Sequence, residues 1–304
     1  MVHGQRRGSD ASGELGRRAG CAHQTAGCGG TVPGFTGPWS ILNHPIARSW
    51  VEVPVAEGAT VSTMPAYLAE PTTPGSQPNV IVGFEMFGVS SYIRSVTDRI
   101  AGLGYRAMAP DFYHRLGTHI DLPPTPEGRD RGLELLQRLD RPGVRHDMVG
   151  LLAYFDEFGD GPQRTAMVGL SAGGHIAYYA ATQVPLAALA VFYPGWLTDP
   201  GIALSRPEPT LNLSARIAEF STPVLFLVGD GDHLFTGEQR AEIVERLRND
   251  GVNHEMVVYP DTPHGFFCHE RDSFRKPAAD DAFERLTRLL ADKLSPPPGG
   301  GGPT

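Results

Sequence analysis

Cysteine is scarce in this chain, with three residues (Cys21, Cys28 and Cys268) in 304. That excludes the dense, even disulfide framework of a small secreted domain and leaves stability to a hydrophobic core. Basic charge is in deficit: 26 lysines and arginines against 34 aspartates and glutamates give a formal net charge of -8. The chain therefore has no basic footprint for nucleic acid or an anionic membrane. No apolar run approaches the roughly eighteen residues of a membrane span. The amino-terminal stretch carries arginines but lacks the continuous apolar segment of a secretory signal. The expectation is a cytoplasmic protein, monomeric or a small homo-oligomer, whose partner is a small molecule. Hydrophobic residues make up 40% of the sequence, enough for one large core.

Residues 1–47 are rich in Gly, Arg, Ala and Ser and show no hydrophobic period. Such a segment buries too little surface to offset its ordering entropy and reads as a disordered tail, as does 296–304 at the other end. Cys21, His23 and Cys28 lack the second ligand pair of a structural zinc site, so no metal is expected there. Between the tails, 48–295 reads as one domain. Trp50 to Val55 and Val61 to Ala69 alternate apolar and polar residues around Glu57-Gly58, an antiparallel edge pair. Asn79 to Phe84, Tyr105 to Ala109, Leu186 to Tyr193, Pro223 to Val228 and Glu255 to Tyr259 read as strands. Helical periodicity covers Ser90 to Leu103, Arg129 to Leu139, Gly143 to Phe158, Gly237 to Asn249 and Ala278 to Leu294. Strands alternating with helices predict an α/β fold with a mostly parallel sheet and helices on both faces. Asp111 to Pro126 is expected to expose His114, Arg115 and His119 beyond a strand end, and Pro194 to Pro209 to form a lid or pocket wall.

One stretch organises the chemistry. Ala166-Met-Val-Gly-Leu-Ser171-Ala-Gly-Gly-His175 joins an apolar run of strand length to an alanine-rich helical pattern through Gly-x-Ser-x-Gly. A serine at such a strand–turn–helix junction has its hydroxyl lifted clear at the carboxyl end of the strand, as in a nucleophile elbow. A hydroxyl is a weak nucleophile at neutral pH and needs a base. Two later strands run into Gly229-Asp-Gly-Asp232-His233 and Asp261-Thr-Pro-His264-Gly. Ser171, Asp232 and His264 thus fall in the order nucleophile, acid, histidine found in α/β-hydrolases. Asp230 follows the same strand and is the alternative acid. His175 is expected to pack or cap and His233 to line the pocket or face solvent. Cys268, in an apolar run, is expected to be an inert core thiol.

The stretch Ile81-Val-Gly-Phe-Glu85-Met-Phe-Gly88-Val, with Gly104-Tyr105, Pro110-Asp111-Phe-Tyr113 and the loops above, resembles the dienelactone hydrolase family over about Trp50 to Leu294. The resemblance implies an α/β-hydrolase fold with Glu85 beside the nucleophile and an oxyanion hole from the backbone of Met86 and Ala172. It also implies Asp232 and His264 as acid and base, with no organic cofactor. By the same resemblance Tyr113, Arg129 and Arg131 are placed at the substrate, the two arginines being equally readable as a solvated helix face. The chain differs from the best-known members in carrying serine where they carry cysteine. Their glutamate helps to generate the thiolate, a route closed to a hydroxyl, so Glu85 needs another role.

The sequence therefore points to a serine hydrolase of a small ester or lactone, acting through an acyl-enzyme. A broad carboxylesterase or thioesterase is the alternative within enzymes. A non-catalytic ligand-binding protein on the same fold is the alternative outside them. Because the first 41 residues lack an apolar period, deleting them is expected to leave melting temperature and activity nearly unchanged. A loss of several degrees in a thermal melt would refute this.

Overall fold

The computed structural model describes residues 44–159 and 161–294. The residues proposed above as metal ligands and rejected, Cys21, His23 and Cys28, lie outside that span, as do both terminal tails beyond it. Strand β1 (Ile46–Glu57) and strand β2 (Thr60–Pro71) form the expected hairpin, paired in register from Ile46 with Pro71 to Glu57 with Thr60. The ordered strand thus begins ahead of residue 48. His44 and Pro45 are already tied in, through His44 N–H to Gly102 O and Thr72 N–H to Pro45 O.

Strand β3 (Asn79–Gly83) is followed by helix α1 (Ser91–Gly102) and strand β4 (Arg106–Pro110). The Ser90 hydroxyl caps α1 by accepting from Ile93 N–H, and Gly104, at φ +108°, ends the turn that follows. Helices α2 (Pro126–Leu136) and α3 (Arg141–Asp156) come next. Both start earlier than periodicity alone suggests. Pro126 and Pro142 occupy first-turn positions, where a missing N–H costs nothing. Thr125 and Asp140 accept from Gly128 N–H at 3.2 Å and Gly143 N–H at 2.9 Å. Arg141-Pro142 is therefore a helix start rather than an interruption.

Strand β5 (Thr165–Leu170), helix α4 (Ala172–Ala181), strand β6 (Ala188–Phe192), helix α5 (Ala215–Glu219), strand β7 (Val224–Gly229), helix α6 (Gly237–Asn249), strand β8 (His254–Tyr259) and helix α7 (Lys276–Leu294) complete the chain. The eight strands form one sheet in the order β1-β2-β4-β3-β5-β6-β7-β8, antiparallel from β1 to β4 and parallel from there to β8. Every residue of β3, β4, β5, β6 and β7 is buried. That explains why these strands read as unbroken apolar runs, while the edge strands β1 and β8 alternate or stay half exposed. Helices α3 and α4 pack together, α4 covering β3, β5 and β6. Helix α1 meets α7 through Arg99, whose guanidinium lies 4.2 Å from the Phe283 ring centroid. No helix among the described residues is long and apolar enough to cross a membrane.

The loop after β4 differs from expectation. His114 and Arg115 are not free beyond β4. His114 Nε2 lies 3.0 Å from Asp147 Oδ1 with both side chains buried, and Arg115 donates to Asp147 at 3.0 Å and to Glu57 at 2.6 Å. A fully buried carboxylate on α3 needs counter-charge, which Arg115 supplies, while His114 adds a hydrogen bond. Residues 194–209 are tied by hydrogen bonds to the α2–α3 junction and to α6. Arg141 donates to Leu204 O and Glu208 O, Gln137 to Gly201 O, and Gln239 to Thr198 Oγ1.

The parallel sheet brings the end of β3 against the start of α4. A Cβ built on Gly173 would lie 2.3 Å from Phe84 O and 2.4 Å from Gly83 C, both backbone atoms that cannot swing aside. Gly173→Ala is therefore expected to destabilise the protein by about 3 kcal/mol, the upper range for overpacking. A urea midpoint equal to that of the parent would show that the strand and helix can part.

Candidate active site

Ser171 joins β5 to α4 with φ 56° and ψ -116°, outside the helical and extended basins. Its N–H donates to Phe192 O on the neighbouring strand, and its carbonyl accepts from Gly174 and His175. Those bonds hold the unfavourable turn, which costs on the order of 1–3 kcal/mol and persists only when its surroundings over-determine it. The side chain stands at the carboxyl end of the sheet, where β7 and β8 also end.

Those two strands are parallel neighbours, and their loops close on each other at backbone distance. A Cβ on Gly229 would be 1.8 Å from Thr262 O, and Gly231 N–H donates to the same carbonyl at 3.1 Å. This contact sets Asp232 beside His264. Asp232 Oδ1 accepts from Leu234 N–H at 2.8 Å, which fixes the carboxylate plane, and Oδ2 lies 2.8 Å from His264 Nδ1. His264 Nε2 lies 2.9 Å from Ser171 Oγ. A carboxylate can only accept, so Nδ1 carries the proton and Nε2 accepts from the serine hydroxyl. Asp232 is buried, whereas Asp230 is exposed. Its backbone N–H bonds Tyr259 O, and its side chain takes no part in this line of bonds.

Met86 follows β3, and Ala172 opens α4. Among the described residues, neither backbone N–H has a hydrogen-bond acceptor. Ala172 is the first residue of a helix, where amide protons are unpaired and the helix dipole is positive.

Glu85 is buried, 2% exposed. It is not hydrated at a strand end: it forms an ion pair with Arg271 and accepts from the Tyr193 hydroxyl at 3.4 Å. The Arg271 guanidinium also sits 5.0 Å from the Phe87 ring centroid, and its desolvation lowers its pKa to about 10. Arg271 and Tyr193 are the two residues at this site that motif reading does not find. Arg271 lies in the irregular loop after His264, where no period marks an inward-facing residue. Tyr193 directly follows a strand whose apolar residues all read alike.

The expected substrate-contacting residues do not gather here. Tyr113 is fully buried, and its hydroxyl donates to Met86 O at 3.2 Å, so it braces the loop that carries Met86. Burial raises its pKa well above the tyrosine range and keeps it a donor. Arg129 and Arg131 are exposed on α2, and Arg131 pairs with Glu134 at 2.7 Å. The buried residue of that helix against the site is Gly132, whose Cβ position is 2.9 Å from Met86 O. This is the solvated-face reading of the two arginines.

His175 is fully buried between Gly195 O, 2.9 Å from Nδ1, and Thr210 Oγ1, 2.7 Å from Nε2. Burial lowers its pKa to about 3, so it is neutral and ties both residues to α4. His233 is exposed, its ring centroid 6.0 Å from that of His264. Cys268 is buried, and desolvation raises its thiol to about 12, leaving almost no thiolate near neutrality.

The sheet order, the elbow after β5 and the loops that follow β7 and β8 define an α/β-hydrolase. Within that class the chain belongs to the dienelactone hydrolase family, whose model matches residues 64–294. A Synechocystis sp. protein whose name marks it provisionally as a carboxymethylenebutenolidase is 34% identical over 233 residues, covering 75% of this chain and 91% of that protein. An Escherichia coli protein with the same provisional name is 29% identical, covering 80% of this chain and 90% of its own. A crystal structure from Klebsiella pneumoniae, provisionally titled a dienelactone hydrolase, superposes with a TM-score of 0.72 at 27% identity, covering 81% of this chain and 99% of that one.

The Glu85–Arg271 pair gives a stability prediction. Removing one partner of a buried pair strands the other charge, at roughly 3–5 kcal/mol, whereas removing both is far milder. Arg271→Met is expected to lower unfolding free energy by about 3 kcal/mol, and the Glu85→Gln, Arg271→Met double variant to recover most of it. If the double variant is as unstable as Arg271→Met alone, the pair is not what holds Glu85 in place.

Proposed function

We propose that the protein hydrolyses a small ester or lactone through an acyl-enzyme formed on Ser171. The line of hydrogen bonds from Ser171 Oγ to His264 Nε2 at 2.9 Å and from Nδ1 to Asp232 at 2.8 Å carries this reading. His264 takes the hydroxyl proton as Oγ attacks the acyl carbon, and Asp232 stabilises the imidazolium that forms. The unpaired N–H groups of Met86 and Ala172 receive the developing oxyanion, the arrangement that contributes most to such reactions. The imidazolium then protonates the leaving oxygen. In the second half-reaction His264 activates water, which attacks the acyl carbon and returns Ser171. Membership of the dienelactone hydrolase family supports ester hydrolysis as the class of reaction. Provisional naming of relatives as carboxymethylenebutenolidases supports a lactone among the substrates to be tried.

Glu85 has no thiol to deprotonate, and its charge is compensated by Arg271. Its role is to hold the Met86 loop rather than to transfer a proton.

A panel of p-nitrophenyl esters beside a dienelactone tests the reading. Turnover is expected, with Ser171→Ala and His264→Ala lowering kcat by about a millionfold and Asp232→Asn by about ten thousandfold, while Asp230→Asn is mild. A fluorophosphonate is expected to label Ser171, and iodoacetamide to leave activity intact. Turnover that survives Ser171→Ala, or is lost to iodoacetamide, would overturn the serine mechanism; ligand binding without any turnover would overturn the enzyme.

A further inference from the structure

We infer that Tyr193 is a positioning residue that holds the His264 imidazole in line with Ser171. This rests on the triad reading above. Tyr193 follows the last residue of β6 and is fully buried. Its backbone has φ 37°, a left-handed conformation that tyrosine adopts only under constraint. The constraint comes from both sides: Tyr193 N–H donates to Leu227 O of β7 at 3.0 Å, and His175 holds Gly195 O. Ordinary extended backbone would continue the strand. The left-handed turn instead aims the ring into the space between the ends of the strands.

There the side chain touches two separate loops. It meets His264 edge to face, with centroids 5.0 Å apart and planes at 67°. It meets Phe266 of the same loop in the same manner at 5.3 Å. Its hydroxyl reaches Glu85 Oε1 at 3.4 Å, and burial raises its pKa far enough that it stays a donor. Among the described residues the His264 ring has two polar anchors, Asp232 and Ser171, and the second is lost whenever Oγ is acylated. During deacylation the imidazole must stay in place with one hydrogen bond and whatever packs on its ring. Tyr193 supplies that packing, and the Glu85 contact keeps the phenol from rotating away.

The ring should matter more than the hydroxyl. Tyr193→Phe keeps the ring and is expected to lower kcat about threefold. Tyr193→Leu, chosen because it is unbranched at Cβ and tolerates the same backbone, is expected to lower kcat about thirtyfold with KM within twofold of the parent. The downfield proton resonance of His264 Nδ1–H, which reports the bond to Asp232, is expected to be sharp in the parent and in Tyr193→Phe and broadened in Tyr193→Leu. Should Tyr193→Leu fail to fold, Tyr193→Met fills the cavity with a flexible chain and is expected to show the same losses. Parent-like kcat and an unbroadened resonance in the folded Leu or Met variant would overturn the proposal. So would a loss in Tyr193→Phe as large as theirs, since the hydroxyl would then be the part that acts. Ser171→Ala run alongside separates the two readings. If it remains active the triad itself is wrong, and if it is dead while Tyr193→Leu is fully active only the positioning role falls.

Discussion

The site depends on one close contact, the backbone of Gly173 at the head of α4 pressed against Gly83 and Phe84 at the end of β3. With no side chain between them, the helix starts directly beside the strand, and the first free helical N–H, that of Ala172, lies near the loop that carries Met86. The same approach forces Ser171 into its unusual turn. The strained turn at Ser171 and the unpaired N–H of Ala172 therefore arise from a single packing constraint. The energy of holding them comes from a sheet in which five of the six inner strands are wholly buried.

The second constraint is charge in a low-dielectric place. Asp232, Glu85 and Asp147 are all buried acids, and each is given a partner from a different loop. Asp232 takes His264, Glu85 takes Arg271, and Asp147 takes Arg115 and His114. None of these pairs is local in sequence. Each ties the β3, β4 or β7 end of the sheet to another element, so the electrostatics that satisfy the acids also fix the loops. In the Glu85 pair the partner is a guanidinium that stays charged, with its pKa held near 10. In the Asp232 pair it is an imidazole whose other nitrogen faces the Ser171 hydroxyl.

Motif order, strand positions and the helix periods were legible in the chain because each rests on neighbours. Gly-x-Ser-x-Gly after an apolar run states its own turn, and the proline-started helices differed from expectation by two or three residues at each end. Between Asp230 and Asp232 the choice was not legible, since both follow β7 at the same strand end. It was decided when Gly229 met the Thr262 carbonyl and aimed one carboxylate at His264. Family resemblance places Tyr113 at the substrate, yet its hydroxyl turns inward to the Met86 carbonyl. Arg129 and Arg131 read equally as anion binders and as a solvated face; α2 packs on the site through Gly132 and leaves both exposed.

By itself, then, the sequence determined the alternation of strands and helices, the elbow at Ser171 and the order of acid and histidine behind it, because these follow from local periodicity and turn chemistry. The tertiary structure alone decided which buried acid meets which partner, that Arg271 stands at Glu85, and that the Tyr193 ring packs against His264. Those are contacts between residues far apart in the chain. Parallel strand pairing sets their distances, and the cost of an unpaired buried charge selects among them.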